Sequence, residues 1–250
     1  MRIQVVAHRG ASGYAPETTL EAYRLAIRMG ADFVEADIHR LRDGTLVAIH
    51  DADLTRTTNG KGWVADLALA ELKALDAGSW FNDAYPEKAR VQYAGLQVPT
   101  LQEVLDVVAA SNAGLFIEIK DPDRYPPDLE SSLLSLVRAN RMEKRTRFLS
   151  FSERSIRKIK QLDASIATAF LRSAPGRDPV QAAIKIPADE LGIRYQCVSQ
   201  AMVDAAHRCG LLISVWTVDD EEDMKRMMEL GVDRITTNYP DRLIRLLGRE

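Results

Sequence analysis

Short apolar runs of strand length alternate with amphipathic helical stretches along nearly all of the 250-residue chain. This alternation restricts the fold more than any other feature, because strand-helix-strand units pair their strands in parallel through helical crossovers. Nine runs qualify: residues 3–8, 33–38, 46–50, 115–120, 147–151, 166–170, 189–193, 212–216 and 233–237. About eight strands in a chain of this length is the count of a closed (β/α)8 TIM barrel; a doubly wound open sheet is the alternative. A barrel has eight places, so one run is accessory or not a strand, and residues 189–193 carry the weakest pattern. One join resists a simple reading. Between Ile38 and Leu46 the chain centres on Arg42-Asp43-Gly44, a hairpin-type turn too short for a helical crossover.

Helix starts are marked by Thr18 with Glu21 and Thr100 with Glu103, each spaced as a capping box. Met224, Met227 and Met228, ahead of Gly231, have the spacing of core residues on one helix face. Residues 52–98 break the alternation and hold two of the chain's three tryptophans. The whole chain, 1–250, therefore reads as a single barrel domain with a small inserted subdomain after the third strand. Its aromatics, Trp63, Trp80, Phe81, Tyr85 and Tyr93, are expected to pack the insertion's own core in preference to forming a substrate-contacting lid.

With 46% hydrophobic residues the chain can fill a core, and 33 basic against 36 acidic residues leave a net charge of −3, which gives no general attraction to nucleic acid or to an anionic membrane. The apolar stretch at the start, Ile3 to Ala7, is shorter than a signal peptide's core or a membrane span. A cytoplasmic protein without stable membrane association is expected. Its two cysteines, Cys197 and Cys209, are expected to be reduced.

Strand parity brings the polar residues together. In residues 33–38, Phe33, Glu35 and Asp37 share one face and Val34, Ala36 and Ile38 the other; in 115–120, Phe116, Glu118 and Lys120 oppose Leu115, Ile117 and Ile119. The aliphatic faces suit the outer helices, so the charged faces point inward at the C-terminal mouth of the barrel, where catalytic groups gather. His8 and Arg9, ending the first strand, and His50 and Asp51, ending the third, join them. Carboxylates in apolar strands are costly to bury unpaired. Glu35, Asp37 and Glu118, with no clustered cysteine or histidine set, suit one hard divalent cation, Mg2+ or Ca2+, with Mn2+ also compatible. A salt-bridge network with Arg9 and Lys120 is the alternative. Three carboxylates, a divalent ion, Arg9 and Lys120 sum to about +1, matching a singly charged phosphodiester, and an arginine fork beside a lysine point charge is a phosphate clamp. Two imidazoles can divide acid and base work near neutral pH. His39 and His207 read as structural.

These residues resemble the glycerophosphodiester phosphodiesterase family. The resemblance runs from His8-Arg9-Gly10 through Pro16-Glu17-Thr18-Thr19, Glu35 with Asp37, His50-Asp51, Pro99-Thr100-Leu101, Glu118 with Lys120, Ser150-Phe151, Trp216-Thr217 and Gly231-Val232-Asp233 to Pro240. It implies a barrel with an inserted subdomain, catalytic His8 and His50, a cation on Glu35, Asp37 and Glu118, and phosphate contacts from Arg9 and Lys120. It also implies that Trp216 lies beside the substrate's glycerol, and that glycerophosphodiesters such as glycerophosphocholine or glycerophosphoethanolamine are hydrolysed to sn-glycerol 3-phosphate and an alcohol. Three positions depart from the family's common residues: Thr18 stands for Asn, Arg234 for Gly and Asn238 for Asp, and the last puts a ligand or orienting role at 238 in question. A phosphodiesterase of the lysophospholipase D or sphingomyelinase D kind would use nearly the same residues with an apolar mouth. A catalytically silent metal- or phosphate-binding barrel would be expected to have lost the histidines.

Overall fold

The computed structural model describes residues 2–120, 122–174 and 178–249. Among them run nine strands: β1 (Gln4–Ala7), β2 (Phe33–Arg40), β3 (Leu46–Ala48), β4 (Gly114–Ile119), β5 (Thr146–Ser150), β6 (Ala167–Arg172), β7 (Glu190–Arg194), β8 (Leu212–Trp216) and β9 (Arg234–Thr237). Eight of them close a parallel barrel in the order β1-β2-β4-β5-β6-β7-β8-β9, with β9 returning to β1. The ninth, β3, is antiparallel to β2.

The accessory strand is thus β3, and residues 190–194 are a full barrel member paired on both sides. The turn chemistry between β2 and β3 explains the first half. Gly44 takes φ +91, Leu41 N–H donates to Thr45 O at 2.8 Å, and Asp43 Oδ1 accepts from Thr45 N–H, so a hairpin closes where a crossover cannot. β2 outruns its parallel partner: its pairing with β4 ends at Ile38, while His39 and Arg40 pair only with β3. The hairpin then leads the chain back, and Ile49 N–H donates to Asp37 O.

Among the described residues ten α-helices accompany the strands: α1 (Leu20–Arg28), α2 (Leu69–Lys73), α3 (Ser79–Ala84), α4 (Leu101–Ala109), α5 (Leu129–Ala139), α6 (Glu153–Leu162), α7 (Pro179–Lys185), α8 (Gln200–Arg208), α9 (Glu221–Leu230) and α10 (Pro240–Leu246). The main core lies between them and the outward strand faces, where Val34, Ala36, Ile38, Leu115, Ile117 and Ile119 are all buried. Met224 and Met227 of α9 belong to it, and α9 ends at Gly231 in the left-handed region. Thr100 and Glu103 form the expected capping box on α4. On α1 the cap is Thr19, not Thr18: Thr19 has extended backbone and accepts from Ala22 N–H, whereas Thr18 sits at φ +56, unsuited to an N-cap.

Between β3 and α4 the chain passes through α2, α3 and short 3-10 turns and packs two small apolar clusters. One joins Leu54, Val64, Leu72 and Val98 to Val47 and Ile49 of the hairpin; the other joins Phe81 and Tyr93 to Ala15 and Ala22. Tyr93 Oη–H donates to Tyr14 O at 3.0 Å, tying this segment to the loop after β1. Phe81 and Tyr93 are buried as core aromatics should be, whereas Trp63 and Tyr85 are exposed. No described helix is long and apolar enough to cross a membrane, and both cysteines are free thiols.

Candidate active site

The loop after β1 makes the first wall of the mouth. Arg9 and Gly10 both adopt left-handed backbone, φ +56 and +82, a conformation costly for arginine and found where surrounding structure enforces it. Here Arg9 N–H donates to Glu35 Oε2 at 2.9 Å, and a Cβ at Gly10 would lie 2.5 Å from the Ala22 backbone, so only glycine lets this turn lie against α1. The turn lifts His8 and Arg9 over the barrel axis.

Glu35, Asp37 and Glu118 converge below them. Each offers a carboxylate oxygen, and these oxygens lie within 4.8 Å of one another. Lys120 Nζ is 3.1 Å from Asp37 Oδ1 and 2.7 Å from Glu118 Oε1; Arg9 Nε is 3.1 Å from Asp37 Oδ2, and Arg9 Nη1–H donates to Glu17 Oε1. The cationic side chains do not exhaust the acids, since Glu35 Oε1 and Asp37 Oδ2 are buried without a hydrogen-bond partner among the described residues. Burial, then the Asp37 and Glu118 charges, pushes the Glu35 carboxyl well above the usual carboxylate range; burial and Asp37 raise Glu118 to about 7. Asp37 stays below its ordinary value because Lys120 and Arg9 outweigh its burial. A buried carboxylate cluster in which burial and the Asp37 charge raise both Glu35 and Glu118, and in which Glu35 Oε1 has no donor among the described residues, fits a hard cation.

Both expected histidines reach the same cavity, of about 180 Å3, together with Arg9, Glu35, Glu118, Lys120 and Trp216. Leu149, Leu171 and Phe151 give it an apolar wall, where Phe151 meets Trp216 edge-on at 5.7 Å. All eight sequence-predicted site residues therefore gather in one place, Asp37 beneath the cavity wall. His8 Nδ1–H donates to Asn238 Oδ1 at 2.8 Å, and Asn238 Nδ2–H donates to Asp219 Oδ2 at 2.6 Å. Asp219 accepts only, so it fixes which way the amide points and hence which His8 nitrogen carries the proton. Burial, seconded by Arg9, lowers the His8 pKa to about 4. His50 differs: its Nδ1–H donates to Asp51 Oδ1 at 2.6 Å, and Asp51 is held by Arg56, which forks onto Glu17. Burial also lowers the His50 pKa, opposed by Asp37 and Asp51. Neither His8 nor His50 Nε2 has a hydrogen-bond partner among the described residues.

Sequence reasoning missed the orienting partners. Asn238 keeps an orienting role as an amide, and Asp219, three residues beyond β8, could have been noticed as one more polar residue after a strand end. His39, expected to be structural, holds the backbone of a predicted catalytic residue: its Nε2–H donates to His50 O, and its Nδ1 accepts from Tyr125 Oη–H. His207 pairs with Asp233, which also caps Ile213 N–H at the start of β8, away from the mouth.

Comparison with known proteins finds relatives over nearly the whole chain. The model of the Glycerophosphoryl diester phosphodiesterase family matches residues 8–242. A glycerophosphodiester phosphodiesterase of Bacillus subtilis is 45% identical over 249 residues, covering 96% of this chain and 85% of its own length. One from Caldanaerobacter subterraneus subsp. tengcongensis is 35% identical over all of this chain and 99% of its own. Among solved structures, an Oleispira antarctica phosphodiesterase in complex with the product sn-glycerol-3-phosphate superposes with a TM-score of 0.90 at 29% identity, covering 98% of this chain and 96% of that one.

Proposed function

This chain belongs to the glycerophosphoryl diester phosphodiesterase family, and from that premise we propose that it hydrolyses glycerophosphodiesters to sn-glycerol 3-phosphate and an alcohol, with a divalent cation and with His8 and His50 as base and acid. The observation that carries this reading is the pair of imidazoles, each with Nδ1 tied down and Nε2 turned loose in a mouth that also holds three carboxylates, Arg9 and Lys120.

Glu35, Asp37 and Glu118 would hold the cation, which supplies Lewis-acid polarisation of the phosphoryl group and neutralises its charge. The roles of the histidines follow from their partners. His8, kept neutral by burial and a neutral amide partner, takes the proton of the attacking hydroxyl at Nε2. His50, whose imidazolium is supported by the Asp51 carboxylate, gives the Nε2 proton to the ester oxygen as its bond to phosphorus breaks. The attacking oxygen forms the new bond to phosphorus: water gives sn-glycerol 3-phosphate directly, whereas the substrate's own glycerol hydroxyl would give a cyclic phosphate that water opens in a second step, with the two histidines' proton roles reversed. Arg9 and Lys120 face the developing charge, and Trp216 with Leu149 and Leu171 gives the glycerol carbons an apolar wall.

The test is sn-glycerol 3-phosphate release from glycerophosphodiesters by the purified protein, before and after EDTA, with Mg2+, Ca2+ or Mn2+ restored. Chelation should abolish turnover and an added ion restore it, while His8→Ala and His50→Ala should each lose about 10²–10⁴-fold in kcat. Turnover surviving exhaustive chelation overturns the cation's role, and near-normal rates in both variants overturn the acid-base assignment.

A further inference from the structure

A second cavity, of about 170 Å3, opens beside the first and shares His8 and Arg9 with it. Its outer wall is Tyr85 and Lys88, from the segment between β3 and α4, facing Tyr239 from the loop after β9. Gly13 is what lets Tyr239 close this wall, because a Cβ there would fall 2.3 Å from the ring. A phosphodiester carries an alcohol on each side of phosphorus. Two cavities of nearly equal size that meet at His8 and Arg9 offer room for one alcohol on each side of a phosphoryl group held there.

The two cavities differ in chemistry. The first has the apolar wall that suits glycerol carbons, and its Lys120 is paired with Asp37 and Glu118; the second adds a cation without such a partner among the described residues. Lys88 Nζ lies 5.0 Å from the Tyr85 ring centroid and 5.6 Å from that of Tyr239, and no carboxylate pairs with it among the described residues. The neighbouring cations are already engaged, Arg9 by Glu17 and Asp37 and Arg56 by Glu17 and Asp51. Glu17, the acid of this cavity, is thus claimed twice over. Tyr239 also carries the Arg242 guanidinium at 3.9 Å from its centroid. The Tyr85 and Tyr239 rings, which could receive a quaternary ammonium, are therefore met by the protein's own cations; Trp80 and Phe81 also line the cavity, but a quaternary ammonium reaching them would still meet the like charge of Lys88.

Resting on the phosphodiesterase reading, we propose that this second cavity receives the departing alcohol and that Lys88 makes it select alcohols bearing their own negative charge over quaternary ammonium alcohols. A phosphate or carboxylate on the alcohol would pair with Lys88, whose stem is half-buried and whose charge is uncompensated.

Three substrates sharing one glycerophosphoryl half test this: glycerophosphoglycerol phosphate, glycerophosphoglycerol and glycerophosphocholine, compared by kcat/KM in the wild type, Lys88→Gln and Lys88→Glu. The wild type should prefer them in that order. Lys88→Gln should shrink the ratio of anionic to choline substrate by about tenfold, and Lys88→Glu should shrink it further. The wild-type preference should also fall as NaCl is raised, since a half-exposed charge is screened. A ratio that holds within about twofold in both folded variants, with turnover intact, overturns the role of Lys88. Failure of the wild type to cleave any of the three with cation present overturns the phosphodiesterase reading, and this inference with it.

Discussion

Asn238 shows how much one side chain decides at this site. Its amide accepts from His8 and donates to Asp219, and a carboxylate at the same place would do neither job in the same way. It would face the Asp219 carboxylate across a 2.6 Å contact that now holds a hydrogen bond, and it would give His8 an anionic partner that favours the imidazolium. As it stands, burial and Arg9 lower the His8 pKa to about 4, so His8 is unprotonated above that pH and able to serve as the proposed base. The acid limb of kcat/KM should accordingly fall well below the ordinary histidine value of about 6.5. Asn238→Asp should move that limb upward and lower the melting temperature through the new contact with Asp219. A pH-rate profile of the two proteins checks it; limbs that coincide would remove Asn238 from control of His8. The departure of position 238 was visible in the sequence, but its consequence was not, because Asp219 and Ser12, whose Oγ lies 2.7 Å from Asn238 Oδ1, come to it from opposite ends of the chain.

Elements were more legible than their partners. Each of the nine sequence runs became a strand, since alternate aliphatic residues are local information. Which run was accessory depended on charge pairing inside the barrel. Residues 190–194 read weakly because Glu190 and Gly192 interrupt the apolar pattern, yet Glu190 is fully buried and points into the barrel, where Arg234 Nη1–H donates to it at 2.6 Å and Arg147 stands 3.7 Å away. Arg234, at a position where the family commonly has glycine, thus lies almost fully buried over the Phe33 and Phe116 rings. The acid that breaks the pattern of the weakest run and the residue that stands where the family commonly has glycine are one internal ion pair. Removing one member strands the other charge in low dielectric, so Glu190→Ala should cost about 3–5 kcal/mol. Replacing both, Glu190→Leu with Arg234→Met, should cost distinctly less. Urea unfolding of the three proteins measures this, and equal losses in the single and double variants would show that the pair does not act as a unit.

At the scale of the whole molecule, the barrel assembles in one mouth residues that are up to 230 positions apart in the chain, as His8 and Asn238 are. Strand parity and position at the strand ends suffice to foretell which carboxylates meet, because the barrel fixes both. The second cavity was not foretold, since it depends on how the segment between β3 and α4 is laid against the loops after β1 and β9. Assembling the carboxylates has a thermodynamic consequence. Glu118 is raised to about 7 and Glu35 is raised well above its ordinary value, burial being the first cause for both. The folded state therefore binds more protons than the unfolded state between the ordinary glutamate value of about 4.3 and the raised ones. In that window rising pH costs the cation-free protein stability. A divalent ion on the same oxygens competes with those protons and favours the folded chain alone, by about 2.7 kcal/mol at a hundred times its Kd. Mg2+ or Ca2+ should thus raise the melting temperature over an EDTA control, and raise it more at pH 8 than at pH 6. The difference between loaded and chelated protein cancels the opposite trend from His8, whose lowered pKa makes stability rise with pH between about 4 and 6.5. Glu35→Gln and Glu118→Gln should lose most of the ion-dependent shift. Shifts of equal size at the two pH values, or undiminished in both variants, would mean that the ion stabilises the protein from somewhere other than this mouth.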